Sequence, residues 1–167
     1  MLNKIIEAME KLERNGIDPS KVLVGLTGIE RSILNVLIEN EQAMNPNEIR
    51  RALILDVMRF FLSVSGKVKE EYTLKYWRGG LHYPAEEKEL FKLWHKNRNL
   101  PPQKRFEEDA KLLKRFGVAD IPDYRTIERI LREMELMGIV ISRDEVGKAK
   151  KVYFVNPVFL EKVKKGF

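Results

Sequence analysis

There is no cysteine among the 167 residues. Disulfides, thiolate zinc sites and thiol catalysis are thereby excluded, and a reducing interior suits the chain. Histidine is scarce: His82 and His95 are the only two. Neither has a partner at metal-ligand spacing, so both read as surface or packing residues. A phosphate-cradling glycine loop, a nucleophile elbow and a dinucleotide fingerprint are all missing. The acid clusters at Glu86–Glu89 and Glu107–Asp109 follow from the preference of acids for helix starts. No catalytic residue, metal site or cofactor emerges, and the expectation is a protein that is not an enzyme. Long apolar runs are also lacking. The longest, RALILDVMRFFLSV at 51–64, contains Asp56 and Arg59. It reads as a buried helix rather than a span, which needs about 18 apolar residues. The opening MLNKIIEAMEKLERNG is a charged amphipathic helix without a signal-peptide cleavage pattern. A soluble, cytoplasmic protein with no membrane partner is expected.

What is present is a balance of 44% hydrophobic and 34% charged residues, with a net charge of +6. A packed core with a solvated surface follows, in one domain or at most two small ones. The positive charge is unevenly spread. Residues 1–66 carry 8 basic and 9 acidic groups, residues 67–122 carry 13 and 9, and residues 123–167 carry 10 and 7. The excess lies in the last hundred residues, which suits a polyanionic partner such as nucleic acid.

Along the chain, Leu2, Ile5, Ile6, Met9 and Leu12 recur at helical spacing before Asn15-Gly16, so residues 2–14 form a helix. The segment IDPSKVLVG is a connector, and residues 1–25 make an N-terminal helix with its connector. A second, largely buried helix follows Thr27. Asn45-Pro46-Asn47-Glu48 then combines a capping residue, a first-turn proline and a glutamate three residues past the cap. The helix it starts continues towards Leu62. Around YTLKYWRGGLHY, Tyr72, Tyr76, Trp77 and Tyr83 interleave with Lys69, Lys75 and Arg78. Such a mixture either stacks bases or packs a core, and core packing is the simpler account. Helices over Glu86–Asn97 and Lys104–Phe116 flank the break at Pro101-Pro102, and a C-terminal helix occupies 157–167.

The most informative stretch is DYRTIERILREMELMGIVISRDEVGKAKKVYF. Asp123 caps a helix whose residues Ile127, Ile130, Leu131 and Met134 share one face. Arg125, Arg129 and Arg132 lie opposite, with Glu128 at their margin. Gly138 follows in the position of a left-handed C-terminal residue. IVISR then alternates as a half-buried strand, and KVYFV pairs with it across a turn bearing Gly147, Lys148, Lys150 and Lys151.

Helix, glycine, strand, basic turn and strand resemble the second half of a winged helix-turn-helix. TIERILREMELMGIV is similar to the recognition helix and exit of that superfamily, and LTGIERSILNVLIENEQAMNPNEIRRALI resembles the first two helices of many winged-helix regulators. The fold this implies is mainly α with a small β-hairpin wing. One departure stands out: Ile54 and Asp123 are nearly seventy residues apart, where a helix-turn-helix has a short turn. Either a winged helix over 26–156 carries a helical insertion at about 64–121, or residues 86–137 supply all three helices and residues 1–85 are a helical N-terminal extension. The start signal at Asn45–Glu48 favours the insertion.

The resemblance implies double-stranded DNA binding, with the helix 123–137 in the major groove and the wing 139–155 on phosphates, as in transcriptional regulators. Tyr124, Arg125, Thr126, Arg129 and Arg132 become the expected helix contacts, and Lys148, Lys150 and Lys151 the wing contacts. Arginine suits this role because its planar fork bonds guanine edges or phosphates bidentately. Two other readings fit the same residues. Glu128, Glu133 and Glu135 alternate with the arginines, as on an ordinary salt-bridged surface. Winged helices also serve as protein-docking modules within transcription or replication assemblies. Dimers are common among such regulators, so the stripe of residues 2–14 either pairs with its copy in a homodimer or packs on its own domain.

Overall fold

Asn45 and Glu48 cap each other. The Glu48 amide donates to Asn45 Oδ1 at 2.9 Å, and the Asn45 amide donates to Glu48 Oε1 at 3.1 Å. Two donors that a helix start leaves orphaned are satisfied reciprocally, and a helix runs from there over Pro46–Ser63. In the computed structural model the described residues are 2–18, 26, 28–63, 87–145, 147 and 150–165. The elements among them are α1 (Leu2–Arg14), α2 (Gly28–Asn40), α3 (Pro46–Ser63), α4 (Glu87–Asn97), α5 (Pro102–Arg115), α6 (Tyr124–Met137), β1 (Val140–Asp144), β2 (Lys151–Val155) and α7 (Pro157–Lys165). The fold is mainly α with one small antiparallel hairpin, β1–β2. No described helix is long and apolar enough to cross a membrane. Most of the connector at 17–25, the aromatic stretch from Tyr72 to Tyr83, the Gly79-Gly80 pair, His82 and Lys148 lie outside the described residues.

The chain divides into two compact units, residues 1–49 with 123–167, and residues 50–122. In the second unit, α4 and α5 form a helical hairpin organised by Asp109, whose side chain is 1% exposed. Asn97 Nδ2 donates to its Oδ1 at 3.1 Å, and the Arg98 guanidinium pairs with its Oδ2. Arg98 also lies 4.3 Å from the centroid of the Trp94 ring. A buried carboxylate is tolerable only when paired and hydrogen-bonded in this way. Helix α5 begins at Pro102, two residues earlier than the sequence pattern indicates, because proline at the first helical position forfeits no hydrogen bond. Glu107, Glu108 and Asp109 therefore sit beyond the first turn. Glu107 pairs with Arg50 at 2.5 Å and Glu108 with Lys111 at 3.1 Å, so charge pairing, not helix-start preference, accounts for them.

In the first unit, α1 packs against α6, β1 and α7. Ala8 and Leu12 are buried there, while Leu2 and Ile6 remain 69% and 47% exposed. The strand β1 departs from the alternation read in its sequence: Val140, Ile141 and Ser142 are all buried. Both α1 and α6 contact it, so neither side of its first half faces water. The strand β2 gains a second, one-residue partner. Met44, just before α3, exchanges backbone hydrogen bonds of 2.9 and 2.8 Å with Tyr153.

Gly138 joins α6 to β1 with φ of +86°. Its neighbour Ile139 donates to the Met134 carbonyl at 3.0 Å, closing the helix end. Space is as restrictive as conformation, since a Cβ at this position would lie 2.2 Å from the Ala8 carbonyl oxygen and 3.0 Å from the Leu12 backbone nitrogen. Gly147 also has positive φ, +77°, but a Cβ there meets nothing within 4 Å. The two glycines separate strain from collision. Gly147→Ala is expected to cost about 1 kcal/mol of stability, as a left-handed alanine ordinarily does. Gly138→Ala is expected to cost at least about 2 kcal/mol more, because α1 has to move as well. Urea unfolding midpoints at constant m-value measure both, and equal losses would exclude the collision.

Candidate nucleic-acid interface

Asp123 Oδ1 accepts the Thr126 amide at 2.8 Å, and Gly138 ends the helix that Tyr124 begins. Between these signals α6 buries Ile127, Ile130, Leu131 and Met134. At 100° per residue, Arg125, Arg129 and Arg132 occupy the opposite face, and all three are exposed. Leu136 shares that face and is 69% exposed.

The three arginines are not equivalent. Arg129 pairs with Glu133 at 3.1 Å, with the two side chains 62% and 53% exposed. Arg132 pairs with Glu128, which is only 25% exposed. The Arg129 pair is an i,i+4 pair in water, worth about 0.3–0.5 kcal/mol, so this arginine can exchange its carboxylate for another anion at little cost. The side chain of Arg125, at the leading end, has no hydrogen bond or ion pair among the described residues.

Glu128 is the centre of a further set of contacts along the flank of α6 next to the hairpin. Partial burial, followed by hydrogen bonding to Glu128 and the Glu128 charge, pushes the Tyr124 hydroxyl above its ordinary pKa, against an opposing pull from Arg132. Tyr153 on β2 is shifted upward as well, first by burial and then by the charges of Glu135 and Glu128, with Arg132 again opposing through charge and a hydrogen bond. Lys150, beside the hairpin turn, lies 5.7 Å from the Tyr124 ring centroid, within range of a cation–π contact. Tyr124 thus stands between the helix and the basic turn. Thr126 is half-buried with its amide in the cap, and Lys151 is exposed at the start of β2, opposite Asp144 in the register.

The outer edge of β1 is closed by charge. Ser142 and Tyr153 face each other, and Tyr153 directs its backbone groups to Met44, so both residues point their N–H and C=O away from the ladder. Glu135 Oε2 accepts the Ser142 amide at 3.0 Å, and Lys4 Nζ donates to the Ser142 carbonyl at 2.8 Å. Glu135 in the sequence looks like one more surface acid. Its spacing from Gly138 and the strand is the only signal that it turns back onto the hairpin.

Of the residues singled out in the sequence, Tyr124, Arg125, Thr126, Arg129, Arg132, Lys150 and Lys151 belong to this helix and hairpin. Glu128, Glu135, Tyr153 and Leu136 shape the same surface without a sequence signal that marks them as contacts. His95 is on α4, exposed, with its ring 5.0 Å from Trp94 in an edge-to-face contact. Among the described residues no group of three His, Asp or Glu side chains is placed to hold a metal ion. Comparison with models of protein families, with curated proteins and with solved structures finds no match to this chain.

The tyrosine shifts have a measurable sign. A phenol whose folded pKa exceeds its ordinary 10.0 stabilises the fold fully below that value and loses the contribution as pH rises through the raised one. Ultraviolet titration of tyrosinate is expected to show a component ionising above the ordinary value that disappears in Tyr153→Phe. Loss of a component at or below the ordinary value would contradict the assignment.

Proposed function

We propose that this chain is a winged-helix protein that binds double-stranded DNA, with α6 as recognition helix and the β1–β2 hairpin as wing, and that it works inside the cell as a transcriptional regulator. One observation carries the reading. A helix with a fully apolar inner face presents a row of exposed arginines outward, its leading arginine unpaired, beside a basic hairpin turn. A helix lying in the major groove must bury one face on its own domain and offer long donors on the other. Arg125, nearest the leading end, approaches base edges; Arg129 follows one turn later. Arg132, tied to Glu128 and Tyr153, meets phosphate at the groove margin. Lys148, Lys150 and Lys151 meet phosphates as point charges and add affinity without sequence information. Tyr124 and Thr126 flank Arg125 at the helix entrance. Dimerisation would present two such helices to a two-fold site, with exposed Leu2 and Ile6 of α1 as the surface available for it.

A second reading is favoured by a specific feature. Glu133 and Glu128 neutralise two of the three arginines, and exposed Leu136 lies among them. That surface also suits a protein partner, which would make the chain a docking module in a transcription or replication assembly without direct DNA contact.

Titration against random duplex DNA at two salt concentrations separates the two, since absence of binding even at low salt leaves only the docking module. On a selected best site, Arg125→Ala or Arg129→Ala is expected to cost about 1–3 kcal/mol, and less on random DNA. Arg132→Ala should weaken all sequences about equally. Replacing Lys148, Lys150 and Lys151 by alanine should make the salt dependence shallower by about one unit for each phosphate that these lysines neutralise. Arginine variants that fold normally and leave affinity unchanged would remove α6 from the interface.

A further inference from the structure

The recognition helix and hairpin do not absorb all of the basic surface. Residues 87–122 alone hold nine basic and six acidic groups, and their cations are arranged in two different ways. Arg98 is tied to Asp109 and Lys111 to Glu108, while Lys104 and Lys114 on α5 are exposed. Lys88, Lys92 and Lys96 on α4 are all exposed, and none of their side chains has an ion pair or hydrogen bond among the described residues.

These three lysines stand at i, i+4 and i+8, so they drift by only about 40° per step and form one row about 12 Å long. His95 borders the row, and Glu89, although three residues before Lys92, does not pair with it. Such a row works against the helix that carries it. Like charges four residues apart repel. A cation in the first turn, where Lys88 stands, also opposes the helix dipole, which favours a base only at the other end, near Lys96. Ordinary solvation or helix stabilisation therefore explains Lys96 and leaves Lys88 and Lys92 unexplained. A row of unneutralised point charges at regular spacing is complementary to a line of phosphates.

We propose that the Lys88–Lys92–Lys96 row of α4 is a second contact for the DNA phosphate backbone, independent of sequence and separate from the recognition helix and wing. The proposal rests on the DNA-binding reading above. It implies that part of the affinity comes from a unit that reads no bases, leaving sequence preference to α6.

The test uses the full chain and fluorescence-labelled random-sequence duplex of about three helical turns, titrated across a series of salt concentrations. Lys88→Gln, Lys92→Gln and Lys96→Gln are combined in one variant. Lys104→Gln, Lys111→Gln and Lys114→Gln on α5 form a control with the same reduction in charge. The α4 variant is expected to bind all sequences more weakly, with a salt dependence shallower by about two to three units and the same ranking of sites as wild type. The control is expected to change both far less. An α4 variant that binds as wild type does, or a control that weakens as much, overturns the second contact while the DNA-binding reading stands on the wild-type affinity. Wild-type protein that fails to bind duplex at low salt overturns both.

Discussion

The approach of α1 to Gly138 is the constraint on which the first unit turns. A helix backbone passes so close that no side-chain carbon fits between them, and the residue at that point also has to reverse the chain with positive φ. Two independent demands converge on glycine, and meeting them fixes three neighbours. The end of α6 is closed by Ile139, the strand β1 starts immediately, and the Gly138 carbonyl accepts Asn156 Nδ2 at 3.0 Å. Asn156 is fully buried. Its amide donates to the Ile139 carbonyl, and its Oδ1 accepts the Val158 amide, which caps α7. One asparagine thus links the exit of α6, the end of the hairpin and the last helix, and burial without those bonds would be costly.

The exposed face of α6 mixes acids and bases to a purpose. Its acids hold the arginines and tyrosines in place: Glu128 engages Arg132 and Tyr124, Glu133 engages Arg129, and Glu135 secures the strand. For the DNA contact proposed above, acids on α6 reduce its net attraction. They also keep long side chains ordered before contact, so that less side-chain entropy is lost on binding. Arg125 lacks that support and is the most adaptable of the three.

Much of this arrangement was legible in local sequence, because its causes are local. Asp123, Gly138 and the Ile127–Met134 spacing delimit α6, and Asn45 with Glu48 marks the start of α3; each signal acts within a turn of helix. What was not legible depends on residues far apart in the chain. The burial of both sides of the first half of β1 needs α1, which precedes it by more than a hundred residues. The pairing of Met44 with Tyr153 joins a loop to a strand with no shared pattern. Asp109 looks like a helix-start acid until Arg98 and Asn97 fold back onto it. Charge patterns show that a face is polar, not which of its members are already matched.

The closure of the hairpin has a consequence for how partners can attach. A bare strand edge is a template onto which an extended peptide, or the same strand of another molecule, adds by main-chain hydrogen bonding. Here the outward groups of Tyr153 are taken by Met44 and those of Ser142 by Glu135 and Lys4. Strand addition at either position would first have to displace two backbone bonds or two charged side chains. Backbone templating, which accepts many sequences, is thereby disfavoured at these two positions.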